Sequence, residues 1–125
     1  MTSASYKPPG WPDVIPRIFT SDVEGLVAFL VHVFRAEGGY QSGAPSELRI
    51  GDSMLMLSDG GASRELAPSF LYVYVPDVDQ AFERARSRGA AVIEPPADMP
   101  YGDRRATVRD PWGNHWQIAM RLSVA

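Results

Sequence analysis

The apolar residues of this chain follow the same order twice, first at the alternating spacing of a strand and then at the spacing of one helix face. The predicted helices carry their apolar stripes over residues 23–34 and 78–85. The predicted strands are residues 14–20, 47–50, 53–57, 69–75, 91–94, 104–109 and 115–121. This repetition predicts two βαβββ units in tandem.

Short polar motifs mark where the two predicted helices begin and end. Ser21 and Glu24 have the spacing of a capping box, in which each side chain binds the free backbone N–H of the other residue. The Gly38–Gly39 pair is expected to end this first helix. Asp77 opens the second helix at the place that corresponds to Asp22 in the first, which supports the repeat.

The stretch 101–119 predicts a strand, a tight turn and a returning strand. Asp110 and Pro111 favour the start of the turn, because proline fixes φ near the value that the second residue of a turn needs. Gly113–Asn114 then supplies residues that accept a positive φ. Gly51–Asp52 predicts a hairpin at the corresponding place in the first unit.

Length, charge and cysteine content narrow the class of protein. A chain of 125 residues with 45% hydrophobic residues suits one globular domain, residues 14–125, behind an arm of residues 1–13 that contains several prolines. Within this domain the two units span 14–58 and 69–122. The net charge of −3 gives no reason to expect nucleic acid as a partner. No window resembles a membrane span or a signal peptide, so we expect a cytoplasmic protein. The sequence contains no cysteine, which excludes disulfides and thiolate catalysis.

Three segments of the chain resemble one known group of proteins. They are Glu47–Ser53, Val75–Asp79 and the run 101–114, and with the repeat they extend over almost everything after residue 13. In these segments the chain resembles the vicinal oxygen chelate superfamily of glyoxalases, bleomycin-resistance proteins and ring-cleaving dioxygenases. Within that superfamily it is most similar to the single-domain PhnB-like proteins. The resemblance implies an α+β fold in which two tandem βαβββ modules form an open half-barrel cup. For a single-domain member it also implies a homodimer.

The resemblance further implies four positions at which metal enzymes of the superfamily hold a divalent ion, on the first and last strands of each module. Counted from the helix starts and the two hairpins, these positions are Ile15, Leu55, Phe70 and Gln117. A hard divalent ion needs oxygen or nitrogen ligands. Three apolar residues and one neutral amide therefore predict that the cup binds no metal, and we expect no other cofactor.

Alternation along the strands predicts which side chains line the cup. The predicted lining includes Arg17, Phe19, Leu55, Phe70, Tyr72, His115 and Gln117, whereas Met54, Met56 and Trp116 are expected to pack under the helices. An apolar, aromatic concavity with few polar groups is typical of a small-molecule site. Within it, Arg17 either anchors an anionic group, pairs with an internal carboxylate or extends to the rim.

A loop and two tryptophans are expected near the mouth of the cup or at its edges. Tyr101, Asp103 and Arg104 either contact a ligand, or Asp103 and Arg104 pair with each other and fix the loop. Trp112 is expected at the surface, at a subunit contact or stacked on a planar ligand. Trp11 is expected at a subunit contact, where tryptophan is favoured.

Two classes of function remain open. The first is a metal-free protein that sequesters an aromatic or anionic metabolite or antibiotic, similar to bleomycin-resistance proteins. The second is a metal-independent cyclase, isomerase or epimerase of secondary metabolism, in which Arg17 or a tyrosine stabilises an enolate and Asp103 or His115 moves a proton. A metal-dependent glyoxalase or dioxygenase is a third alternative, which the apolar metal positions disfavour.

Overall fold

The computed structural model describes residues 6–60 and 67–122, which form two helices and eight strands. The helices are α1 (Val23–Phe34) and α2 (Val78–Ser87). The strands of the first half are β1 (Arg17–Phe19), β2 (Glu37–Gly38), β3 (Ser46–Ile50) and β4 (Ser53–Ser58). The strands of the second half are β5 (Phe70–Tyr74), β6 (Ala91–Asp98), β7 (Asp103–Arg109) and β8 (His115–Arg121).

Each half of the chain forms its own four-stranded sheet. The strand order is β1-β4-β3-β2 in sheet A and β5-β8-β7-β6 in sheet B. In each sheet the first strand pairs in parallel with the last, and the other pairs are antiparallel. These two successive βαβββ units confirm the predicted α+β architecture. β1 and β5 are edge strands.

The helices pack on the sheets and on each other, and together they enclose one core. α1 contacts β3 and β4, while α2 contacts β6, β7 and β8. Fully buried side chains of this core are Phe29, Leu30, Leu57, Val78, Trp116 and Ile118. Since one face of each sheet is used by the core, the opposite faces are left for other contacts. We call them the open faces of sheets A and B.

The boundaries of α1 differ from the predicted ones. Its N-cap is Asp22, whose Oδ1 accepts a hydrogen bond from Gly25 N at 2.9 Å, so the predicted Ser21–Glu24 capping box is wrong. The helix ends before Gly38–Gly39, because Arg35 takes the left-handed conformation with φ 58°. In the part of the chain that the structure describes, neither helix is long and apolar enough to cross a membrane.

Two strands differ in length from the prediction, and proline is involved in both. β1 is shorter than 14–20, because Pro16 has no N–H for the ladder and contributes only its carbonyl, which accepts from Met56 N at 3.0 Å. β6 is longer than predicted and includes Pro95–Pro96. It is an edge strand with two register shifts against β7, and such a strand tolerates proline.

The side chains of β4 face the opposite way to the prediction. Leu55 and Leu57 are 5% and 0% exposed and belong to the core, whereas Met54 and Met56 lie on the open face of sheet A. The prediction treated the two hairpins as equal, but the β3–β4 turn has two residues and the β7–β8 turn has five. A shift of one residue moves every side chain of a strand to the other face, so Leu55 does not line the open face.

Candidate functional site

The open face of sheet B carries a row of exposed aromatic side chains. Phe70, Tyr72 and Tyr74 alternate along edge strand β5 and are 62%, 39% and 57% exposed. The intervening residues, Leu71 and Val73, pack against the core. Water around exposed rings in a row is released when another apolar surface covers them, so this strand marks a candidate binding surface.

The strands beside β5 make the same face polar toward its centre. The side chains that share it are His115, Gln117 and Ala119 of β8, Arg109, Thr107, Arg105 and Asp103 of β7, and Glu94 of β6. The His115 ring stacks on Phe70, with ring centres 5.2 Å apart and planes within 2°. The face therefore combines an aromatic edge with charged and amide groups behind it.

Asp103 connects two residues of the aromatic row through its carboxylate. Tyr72 and Tyr74 donate hydroxyl hydrogen bonds to its Oδ2 at 2.7 and 2.8 Å. Arg121 Nε lies 3.2 Å from its Oδ1, and Tyr101 Oη lies 2.9 Å from Tyr72 Oη. Arg121 Nη1 also donates to the Tyr101 carbonyl at 2.8 Å, which fixes the loop that carries Tyr101. The Asp103 side chain is only 1% exposed, so the two tyrosine hydroxyls replace water at Oδ2, whereas Oδ1 has the Arg121 ion pair but no hydrogen bond among the described residues.

These contacts keep Asp103 ionised and its tyrosine partners protonated. The hydrogen bond from Tyr72, with a further one from Tyr74, holds the pKa of Asp103 below its usual value although burial acts the other way. Burial and then hydrogen bonds to Tyr101 and Asp103 raise the pKa of Tyr72, and the bond to Asp103 raises the pKa of Tyr74. General acid–base catalysis works best with a pKa near the working pH. This cluster is therefore suited to hold rings in place and not to move protons near neutral pH.

A second set of hydrogen bonds crosses the centre of the face. Thr107 Oγ1 and Arg105 Nη2 donate to the same oxygen, Glu94 Oε1, at 2.6 and 3.0 Å. The bond from Thr107 is the main reason that the pKa of Glu94 lies below its usual value. Gln117 Nε2 lies 3.4 Å from Thr107 Oγ1, which turns the amide nitrogen toward β7. Arg105 Nη1 donates to Tyr101 Oη at 3.3 Å and joins this set to the Asp103 cluster.

Asp103 and Arg104 do not pair with each other, so that part of the prediction is wrong. Arg104 points away from the open face and binds Asp79 at 3.0 Å and Asp98 at 2.9 Å. The physical reason is that adjacent residues of a strand project to opposite faces. Of this pair, only Asp103 belongs to the candidate site.

One buried carboxylate holds the β7–β8 turn. Asp110 Oδ1 accepts from the backbone N–H groups of Trp112 and Asn114 at 2.9 Å each, and its Oδ2 accepts from Trp116 Nε1 at 2.8 Å. Asn114 Nδ2 donates to both carboxylate oxygens, and its Oδ1 accepts from Ser69 N at 2.9 Å. The turn predicted from these residues is confirmed, with φ 93° at Gly113, but Asn114 does not take the positive φ that was expected of it. Its bonds place the start of β8 beside the start of β5, and so position the candidate site.

Trp112 does not line the open face of sheet B. Its ring meets Phe29 of α1 edge to face at 6.2 Å, and a Cβ at Gly25 would come within 2.8 Å of it. The residue is half-buried against the core. It therefore fastens the turn to α1, and the expectation of a ligand contact for it is wrong for this face.

The open face of sheet A carries Arg17 and Phe19. Arg17 Nη2 donates to Ser58 Oγ at 2.8 Å, and the guanidinium carbon lies 5.0 Å from the centre of the Phe19 ring. Within residues 6–60 and 67–122 no carboxylate pairs with Arg17, so the internal ion pair left open by the sequence is not formed there. The cation retains its capacity to bind an anionic group.

The N-terminal arm crosses another part of the open face of sheet A. Arg49 Nη2 of β3 donates to the Gly10 carbonyl at 3.2 Å, and Lys7 binds Asp13 within the arm. Trp11 is half-buried, and its position at a subunit contact stays a prediction. The arm thus covers sheet A in part, while the aromatic row of sheet B is left exposed.

The pairing register identifies the residue of β4 that corresponds to Gln117. β1 pairs Arg17 with Met56, and β5 pairs Tyr72 with Gln117. Arg17 and Tyr72 stand the same number of residues before the N-caps of their helices. The equivalent of Gln117 is therefore Met56, one residue beyond the predicted Leu55.

The donor set at the four implied metal positions does not fit a divalent ion. With the correction, these positions hold Ile15, Met56, Phe70 and Gln117. Isoleucine and phenylalanine offer no donor atom, and a thioether is a poor ligand for hard cations. Among the described residues, moreover, no group of three or more His, Cys, Asp or Glu is placed to hold a metal.

Several residues of the open face of sheet B were not predicted from the sequence: Glu94, Arg105, Thr107, Arg109 and Arg121. Counting in steps of two from Asp103 would have found the three residues of β7. Counting in steps of two could not have found Glu94, because the register shifts in β6 change which of its residues lies opposite β7. The polar centre of the site was missed for this reason.

Comparison with known proteins identifies the family of the chain. The model of the Glyoxalase/Bleomycin resistance protein/Dioxygenase superfamily matches residues 15–118. An uncharacterized protein of Mycobacterium bovis is 32% identical over 124 residues, with 86% of this chain and 82% of that protein covered. An uncharacterized protein of Mycobacterium tuberculosis H37Rv shows the same identity, with 86% of this chain and 73% of that protein covered.

Solved structures share the fold over nearly their full length. TioX from Micromonospora sp. ML1 is 26% identical with a TM-score of 0.73, and the match covers 87% of this chain and 98% of TioX. A lactoylglutathione lyase from Agrobacterium tumefaciens is 22% identical with a TM-score of 0.68, covering 91% and 96% of the two chains, and this likeness concerns the fold alone. On the family match, the curated relatives and the fold, this chain belongs to the Glyoxalase/Bleomycin resistance protein/Dioxygenase superfamily.

Proposed function

We propose that this protein binds a small aromatic metabolite or antibiotic, without a metal, and releases it unchanged. The observation that carries this proposal is the exposed aromatic row of Phe70, Tyr72 and Tyr74 on the open face of sheet B. A planar apolar molecule laid on these rings would displace water from both surfaces and gain contacts between π systems. Asp103 holds Tyr72 and Tyr74 in place and His115 stacks on Phe70, so the row is formed before a ligand arrives.

The electrostatics of the site favour binding over proton transfer. A metal-independent isomerase, cyclase or epimerase would need a group that takes up and releases a proton near neutral pH. The lowered pKa of Asp103 makes it a weak base, and the raised pKa values of Tyr72 and Tyr74 make them weak acids. The enzyme alternative is tested directly, because the experiment below includes a measurement of turnover.

An anionic group on the ligand has a candidate partner on sheet A. Arg17 binds a neutral hydroxyl, Ser58 Oγ, and the face of the Phe19 ring. A carboxylate or phosphate would add charge-assisted hydrogen bonds, which are about twice as strong as neutral ones. Arg17 is therefore proposed as one contact of an acidic ligand.

The proposal is tested with a panel of aromatic metabolites and antibiotics, by thermal shift and by mass spectrometry of the recovered compounds. Compounds that bind should raise the melting temperature and be recovered unchanged, because ligand binding stabilises the folded state by mass action. The protein is first treated with a chelator and then titrated with Zn²⁺, Ni²⁺ and Mg²⁺. Chemical conversion of a stabilising compound would support the enzyme alternative, and a stoichiometric metal complex would overturn the metal-free proposal.

We expect a second copy of the chain to pack beside the aromatic row. β1 and β5 are edge strands, and an apolar groove of about 270 Å³ runs beside β5, lined in part by Leu55, Leu71, Val73 and Trp116. Exposed edges and apolar patches of this kind favour association. Light scattering coupled to size exclusion should therefore give twice the 13.7 kDa mass of the chain. A monomer mass across the micromolar range would contradict this expectation.

A further inference from the structure

On the open face of sheet B, the described charged side chains form pairs with one exception. Arg105 pairs with Glu94 at 3.0 Å, and Arg121 pairs with Asp103 at 3.2 Å. Arg109 lies on the same face, is exposed, and has no ion pair or side-chain hydrogen bond with any residue of 6–60 or 67–122. Its positive charge is thus available to a molecule that binds on this face.

Arg109 stands at the end of a row that includes an aromatic stack. The register pairs Arg109 of β7 with His115 of β8, and His115 with Phe70 of β5. His115 and Phe70 stack on each other at 5.2 Å. On its other side Arg109 pairs with Ala91 of β6, whose side chain is too short to cover a guanidinium. Directly opposed strand residues have Cβ atoms about 5 Å apart, so the Arg109 side chain starts beside the stack and is long enough to reach a group bound on it.

We propose that Arg109 binds the acidic group of an aromatic acid whose ring contacts Phe70 and His115. A carboxylate, sulfonate or phosphate monoester matches the two parallel N–H donors of a guanidinium. The aromatic part of the same molecule would contact the rings of His115 on β8 and Phe70 on β5. This inference rests on the proposed function, since it adds the charge of the ligand to a site already proposed to bind aromatic molecules.

The other arginines of the face are less suited to this role. An anion at Arg105 would have to displace Glu94, which also accepts a hydrogen bond from Thr107 at 2.6 Å. An anion at Arg121 would have to compete with a carboxylate that is 1% exposed. Separating a carboxylate from its cation leaves a charge without its partner, which is costly for a buried group. Arg109 binds an anion without breaking an existing pair.

The test uses two probes of the same shape, 2-naphthoate and its neutral amide, 2-naphthamide. Their dissociation constants are measured by titration calorimetry for the wild-type protein, for Arg109→Met and for the matched control Arg88→Met. Arg88 lies at the C-cap of α2, so the Arg88→Met substitution removes the same charge from a different surface. We expect Arg109→Met to weaken 2-naphthoate about tenfold or more, as for a charge-assisted hydrogen bond, and to leave 2-naphthamide within twofold. Arg88→Met should change neither probe.

Each other outcome overturns the inference in a recognisable way. If Arg109→Met leaves the 2-naphthoate affinity unchanged while both probes bind, the aromatic site stands and the role of Arg109 is lost. An equal loss for both probes would mean that Arg109 contributes packing and not charge recognition. If the wild-type protein binds neither naphthalene probe, the inference fails together with this form of the proposed site. Circular dichroism and melting temperatures of the variants exclude misfolding as the cause.

Discussion

Replacing Asp110 with asparagine should lower the free energy of unfolding by about 3 kcal/mol. The substitution turns one buried carboxylate oxygen, a hydrogen-bond acceptor, into an amino group that faces other N–H donors. Both carboxylate oxygens of Asp110 accept hydrogen bonds, from backbone N–H groups, from Asn114 Nδ2 and from Trp116 Nε1. Whichever oxygen becomes an amino group, it faces at least one of these N–H donors. Chemical denaturation should show the loss directly, and the melting temperature should fall by about 10 °C.

Asp52→Asn is the matched control for this effect. Asp52 lies in the β3–β4 turn, the counterpart of the β7–β8 turn, and it is exposed. The same chemical change there should alter stability by less than about 0.5 kcal/mol, as for most surface substitutions. Equal losses at Asp110 and Asp52 would show that the loss of negative charge, and not the hydrogen-bond network, causes the effect.

Replacing Asp103 with asparagine should have the second-largest effect, a loss of about 2–3 kcal/mol in the free energy of unfolding. An asparagine cannot accept from both Tyr72 and Tyr74 on one side and meet Arg121 on the other without placing an amino group against a donor. Asp98→Asn is the control, since Asp98 is an exposed partner of Arg104. Breaking such a surface pair should cost no more than about 1 kcal/mol.

The pH dependence separates an ionic role of Asp103 from simple packing. Its pKa in the folded state is held below the value near 3.9 that is usual for an unfolded chain. Its contribution to stability is therefore fully present above that unfolded value and disappears as the pH falls through the folded value. The stability difference between wild type and Asp103→Asn, measured by urea denaturation, should shrink below about pH 4. A difference that is constant from pH 7 to pH 3 would contradict the ionic role.

The order of elements could be predicted from the sequence because it depends on local patterns. Helical spacing located α1 and α2, and the turn residues 110–114 located the hairpin of the second unit. The faces of β4 could not be predicted in the same way, since they depend on the length of its turn to within one residue. Leu55 was assigned to the wrong face for this reason, and Met56 takes its place.

The candidate site was predictable along β5 and less so toward β6 and β7. Alternation alone placed Phe70 and Tyr72 on one face, because a regular strand has a period of two. The one partner that the sequence offered for Asp103, as an alternative to a ligand contact, was its neighbour Arg104, whereas the observed partners come from other strands and include Arg121. Long-range pairs of this kind follow from the register of a sheet and are not visible in a short window of sequence.

The hydrogen bonds from Tyr72 and Tyr74 to Asp103 also bear on ligand selectivity. Immobilising a flexible side chain on binding costs about 0.5–1.5 kcal/mol in conformational entropy. Tyr72 and Tyr74 are already ordered in the folded protein, so this cost does not reduce the affinity for a ligand. A preorganised surface binds molecules of complementary shape more tightly. It changes little to fit molecules of a different shape. The aromatic row should therefore distinguish rigid planar ligands by shape, and related ligands should differ mainly in how slowly they dissociate.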